Sequence, residues 1–189
     1  MPLPAGTVRG IEHGPTREYF EQYHELNALL DHLAETVAAY LTKQGFRALP
    51  QTSTVVVESA DHRTAMPHKT CATRAGLGWI GKSALLVTSE YGPAVRLTSV
   101  LTDAEFDETA EPVNESRCGG CTNCKDACPG QAIQGALWQV GTPREALVDV
   151  AKCRPAARKL AWEMVGEEIT LCGKCIEVCP YTRRYLSKK

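Results

Sequence analysis

Residues 118–129 read Cys-Gly-Gly-Cys-Thr-Asn-Cys-Lys-Asp-Ala-Cys-Pro, a C-x2-C-x2-C-x3-C-P run. Thiolates two residues apart on a tight loop reach three corners of an iron–sulfur cubane. The fourth cysteine, carried off by the helical turn before Pro129, serves a second cubane. Gly119, Gly120, Thr122 and Asn123 let the backbone turn between ligands and offer N–H groups to sulfur. A second run, residues 172–180, reads Cys-Gly-Lys-Cys-Ile-Glu-Val-Cys-Pro. Aligning the two Cys-Pro ends pairs Cys179 with Cys128, Cys175 with Cys124 and Cys172 with Cys121, and puts Ile169 opposite Cys118. Isoleucine cannot bind iron, and Cys153, between the runs, is otherwise unassigned. The spacing therefore predicts Cys118, Cys121, Cys124 and Cys179 around one [4Fe-4S] cluster. It predicts Cys128, Cys153, Cys172 and Cys175 around the other. The alternative is two zinc sites built from C-x2-C pairs, but zinc needs neither the third regularly spaced cysteine nor the Cys-Pro ends. The ninth cysteine, Cys71, reads as a small buried hydrophobe.

Two such clusters pass one electron at a time and add about −4 of charge to a chain whose formal net charge is −1. Lys125, Lys152, Arg154, Arg158, Lys159, Lys174, Arg183 and Arg184 surround the two runs. They read as a solvated face, as partial compensation of cluster charge that raises the potential, or, more weakly, as a basic patch for RNA.

A second constellation lies at residues 75–83, Ala-Gly-Leu-Gly-Trp-Ile-Gly-Lys-Ser. Gly76, Gly78 and Gly81 fit G-x-G-x-x-G, and with Lys82 and Ser83 they also fit G-x4-G-K-S. Both nucleotide motifs need a strand before the loop and a helix after it. Here residues 68–74 lack a strand pattern and residues 84–88 look like a strand, so an ATPase is the third-ranked reading. The glycines instead suit a sharp turn or a close backbone approach to something large and flat.

The elements that must hold these residues follow from pattern. Residues 16–44 predict a helix with Thr16 as N-cap, Gly45 as its stop, and a packing stripe of Phe20, Tyr23, Leu26, Leu30, Leu33, Val37 and Leu41. Residues 53–58 predict a strand, 66–75 a short helix, and 84–88 and 94–102 two further strands. Residues 103–117 are acidic and polar and read as a linker. The chain divides into an α+β core at 1–112, carrying the glycine loop, and a cysteine module at 113–189. Of 189 residues, 43% are hydrophobic and 23% charged, ordinary for a soluble globular protein. No apolar run approaches a membrane span and no signal peptide is visible, so the expected location is the reducing cytoplasm, without a membrane partner.

The segment His68-Lys69-Thr70 through the Ala75–Lys82 loop, the Tyr91-Gly92 turn and the two cysteine runs together resemble epoxyqueuosine reductase and its short relatives, over residues 11–185. These enzymes are similar in outline to reductive dehalogenases. The resemblance implies a partial nitroreductase-like core followed by a ferredoxin-like double-[4Fe-4S] module. It implies cobalamin beside Gly76, Gly78, Trp79, Gly81 and Lys82, with electrons passing through the clusters to the corrinoid for reductive deoxygenation of an epoxide on a tRNA nucleoside. An electron donor such as a ferredoxin or flavodoxin is implied as partner. The N-terminal part of the family's core and its C-terminal helical repeats fall outside this sequence. The family's proton-donating aspartate lies in a short Asp-x-x-Pro segment, and no aspartate of residues 61–68 aligns with it without a gap. Asp61, His62 and His68 stand in that segment, and His68 is taken as the proton donor. A ferredoxin-like protein that reduces a partner, or the partner's corrinoid, is the competing reading.

Overall fold

The computed structural model describes residues 1–188. Thr16 caps the longest helix as its sequence requires: its side chain accepts a hydrogen bond from the N–H of Tyr19 at 3.1 Å. That helix, α2, spans Arg17–Lys43 and follows a short α1 at Ala5–Gly10. Its buried face is Tyr19, Leu26, Leu30, Ala34 and Ala38. Leu33 and Val37, expected in the packing stripe, are exposed. The alanines allow close approach, and strands β1 (Ala48–Pro50) and β4 (Val100–Thr102) pack on this helix.

Strands are few and short. β1 and β4 pair antiparallel, Leu49 opposite Leu101. β2 (Trp79–Ile80) and β3 (Leu86–Val87) form a second antiparallel pair. The 84–88 and 94–102 strands thus exist only as Leu86–Val87 and Val100–Thr102, each paired elsewhere than with the other. Residues 53–58 form turn and coil, not a strand. Their β-branched run finds no sheet to join: Val55 and Val57 are exposed, and β propensity is realised only by packing on neighbouring strands. Helix α3 (His68–Arg74) leads directly into the glycine loop and β2. The loop therefore sits between helix and strand, the reverse of a nucleotide-binding turn. The molecule mixes helix and strand, and the described strands make two two-stranded sheets.

The cysteine runs fold into matching turns. α4 (Asn123–Asp126) and α7 (Lys174–Glu177) follow the first ligands of each run and pack together. Between them lie α5 (Arg144–Leu147) and α6 (Val150–Val165), the latter capped by Asp149 and ended by Gly166 in the left-handed region. α8 (Pro180–Ser187) starts with its proline in the first turn.

Two apolar cores join the early and late parts of the chain. One packs Leu3, Val8, Ile11, Tyr19 and Leu26 against Ala161, Val165 and Leu171, with Ile169 at its margin. The other packs Ala72, Ile80, Ala84 and Leu86 against Ala132, Leu147 and Val148. The expected linker is also tied down. The Val113 N–H donates to the Thr73 carbonyl at 2.9 Å and the Ser116 N–H to Trp138 at 2.7 Å. Polar composition marked it as a spacer, but its backbone groups find partners on both sides.

Candidate iron–sulfur centre and glycine loop

Four thiols gather at each of two places. Cys118, Cys121, Cys124 and Cys179 line one cavity, closed on one side by Gly81, Lys82 and Ser83 of the glycine loop. Cys128, Cys153, Cys172 and Cys175 are mutual neighbours by charge. Cys128 and Cys172 act on Cys153, and Cys172, Cys153 and Cys128 all act on Cys175. Cys175 also lines the first cavity and feels Cys124, so the two foursomes adjoin. Ile169, opposite Cys118 in the motif alignment, packs on the apolar core. Cys153 comes from the first turn of α6, held by the Asp149 cap.

All eight thiols are half-buried and free of disulfides. Burial, then Cys118, Cys179 and Cys121, pushes Cys124 up to about 11. Burial and neighbouring thiols push Cys175 and Cys153 up as well, the latter against the pull of Arg154. Cys172 rises through burial, opposed by the Lys174 N–H. Cys179 rises through burial, opposed by the N–H groups of Tyr181 and Thr182. Crowded thiols that disfavour one another's ionisation are a donor set that a cationic iron core relieves. The Ala132 N–H reaches the Cys128 sulfur at 3.4 Å, a contact of the kind that tunes cluster sulfur. Among the described residues, no three His, Cys, Asp or Glu side chains converge as a single metal ion requires. The residues fit two four-iron clusters.

The glycine loop turns inward. A Cβ at Gly78 would strike the Val87 carbonyl, and one at Gly76 would meet Ala110 at 2.8 Å. A Cβ at Gly81 would meet Val87 at 2.7 Å and would lie 3.6 Å from the Cys118 sulfur. Trp79 is 1% exposed, edge-on to Tyr181 at 4.9 Å and under the Arg117 guanidinium. Its indole N–H is a buried donor with no acceptor among the described residues. Lys82 is 7% exposed and donates to the Cys121 carbonyl at 2.9 Å. The glycines thus give close approach to the chain's own β3 and first cysteine, and their space is filled by protein. Nothing local in the sequence signals the Lys82–Cys121 link, which spans 39 residues.

His68 begins α3, and its Nδ1 lies 3.0 Å from the Ser99 hydroxyl. Burial and Arg96 lower its pKa, with Asp31 opposing. Asp61 and His62 lie in an exposed turn, their carbonyls taken by Arg144. Cys71 is half-buried on α3.

Residues 117–182 match the 4Fe-4S double cluster binding domain, a span that takes in all eight clustered cysteines. The chain is 29% identical over 170 residues to an epoxyqueuosine reductase of Lactococcus garvieae, covering 86% of this chain and 42% of that one. It is 28% identical over 186 residues to that of Cellulophaga algicola, covering 94% and 53%. The chain is a relative of the epoxyqueuosine reductases. It spans about half the length of these two relatives, or less. A crystal structure of a selenomethionine-labelled epoxyqueuosine reductase superposes with a TM-score of 0.57 at 25% identity, over 86% of this chain and 40% of that one. A catabolic reductive dehalogenase in complex with 3-bromo-4-hydroxybenzoic acid superposes at 0.72 and 20% identity, over 97% of this chain and 25% of that one, and so shares the fold. Among the described residues, no helix is long and apolar enough to cross a membrane.

Proposed function

We propose that this chain is an iron–sulfur oxidoreductase that carries electrons through two adjoining [4Fe-4S] clusters. Cys118, Cys121, Cys124 and Cys179 hold one, and Cys128, Cys153, Cys172 and Cys175 hold the other. The observation that carries the reading is the gathering of eight thiols into two adjoining foursomes inside a double-cluster domain. Adjoining clusters shorten the electron path, and a ferredoxin or flavodoxin in the cytoplasm is the proposed donor. The division at about residue 112 separates a segment related to part of a nitroreductase-like core from the ferredoxin-like module.

The acceptor is proposed from the relatives: a corrinoid, and through it an epoxide-type substrate such as a modified tRNA nucleoside. One solved epoxyqueuosine reductase was crystallised with an epoxyqueuosine-modified tRNA stem loop. When bound, a corrinoid supplies a reducible cobalt, and the His68 segment is the proposed proton source. The glycine loop by itself does not form a corrinoid cradle, since its open positions are filled by Val87, Ala110 and Cys118. The same inward packing favours a second reading, a ferredoxin-like electron carrier that reduces a partner protein or the partner's corrinoid.

The two readings separate in one experiment. Anaerobic reconstitution should give about eight iron and eight sulfide per chain. Titration with cobalamin should then give a base-off spectrum if this chain holds the corrinoid. Clusters without any cobalamin affinity support the carrier, and an iron-free protein overturns both.

A further inference from the structure

Lys82 is the only lysine or arginine buried among the described residues. Its ammonium donates to the Cys121 carbonyl, lines the cavity of the first foursome, and has no carboxylate partner among the described residues. The cations beside the second foursome are neutralised differently. Arg154 pairs with Glu58 at 3.1 Å, and Lys174 with Glu177 at 3.0 Å. A buried ammonium without a counter-charge is unfavourable, so it persists where negative charge is supplied from elsewhere. Four thiolates around an iron–sulfur core supply it, at roughly −2 when oxidised and −3 when reduced.

We infer that Lys82 is a tuning residue that raises the reduction potential of the cluster held by Cys118, Cys121, Cys124 and Cys179, leaving the second cluster unaffected. This inference rests on the double-cluster reading. The added electron increases the cluster's negative charge, and a fixed cation in a low-dielectric wall stabilises the reduced form more than the oxidised one. The glycine before it serves the same end. Gly81 lets the loop backbone close on the Cys118 sulfur, which brings Lys82 to the cluster rather than to solvent. The loop that resembles a phosphate or corrinoid cradle thus presents its cation to the chain's own electron carrier.

The test is a redox titration of the reconstituted full chain with dithionite, followed by EPR. Cys121→Ser first marks which signal belongs to the first foursome. Lys82→Gln keeps a donor to the Cys121 carbonyl and removes the charge, and Lys82→Met removes both at similar length. Each should weaken reduction of the marked cluster at least tenfold, a fall of about 59 mV for one electron. The other midpoint should stay in place. Lys82→Arg, which keeps the charge, should hold the marked midpoint near that of the wild type. An unmoved midpoint in both charge-free variants, or equal shifts of both clusters, overturns the inference while leaving the clusters themselves standing. A wild-type chain that binds no iron overturns the inference and the double-cluster reading together.

Discussion

Cys153 reaches its foursome by a different route from the other seven thiols. They come from the two short runs and the turns that follow, whereas Cys153 rides on the first turn of α6, between Asp149 and Pro155. Ile169, at the place the motif would give a ligand, is spent on the apolar core instead. Cys153→Ala should therefore cost one cluster and spare the other. Iron content should fall by up to half, and one EPR signal should persist with its midpoint unchanged. Loss of both signals would show that the first cluster cannot stand without the second. A double-cluster domain was legible because thiol spacing is a local constraint of cluster geometry. The partner of Lys82 was not, because a contact between residues 82 and 121 leaves no trace in either neighbourhood.

At the scale of elements, the β2–β3 hairpin positions the loop, and Gly78 is its tightest point. Any side chain there would enter the space of the Val87 carbonyl, which is backbone and cannot swing aside. Gly78→Ala should destabilise the fold by about 1–3 kcal/mol, the range for overpacking. The measurement is the urea midpoint at constant m-value. A loss confined to cluster loading, with the midpoint unchanged, would contradict it. Helix α2 was legible in extent, since Thr16 caps it and Gln44 closes it. Its packing face was legible only in part: Leu26 and Leu30 are buried as expected, and Phe20 and Tyr23 pack on the core. The apolar stripe through Leu33 and Val37 has the right period, yet the face with Ala34 and Ala38 is the buried one. Period alone does not rank two adjacent faces; the close approach of a neighbour does.

The whole molecule is held by contacts between its two halves. Ile11, fully buried on the segment after α1, packs in the core with Ala161, Val165 and Leu171. Its Cδ1 also lies where a Cβ on Gly173, between Cys172 and Lys174, would fall. Ile11→Ala should cost about 2–5 kcal/mol by the cavity it leaves. It should also lower iron retention at the second foursome, read as iron lost per hour on dialysis against a chelator. Unchanged retention at reduced stability would separate the core from the cluster. The double-cluster module was legible from cysteines alone. The packing of Ile11 beside Gly173 was not, because long-range apolar packing has no motif.

The interleaving of the two foursomes has a consequence for synthesis. One set waits for Cys179, about sixty positions after Cys118, and the other for Cys175. At roughly 5–20 residues per second, the early thiols emerge some 3–12 s before either set is complete. During that interval they stand as incomplete chelators, open to oxygen and to zinc. Metal fidelity in this fold is then governed by translation speed and by how soon iron delivery follows the last cysteine.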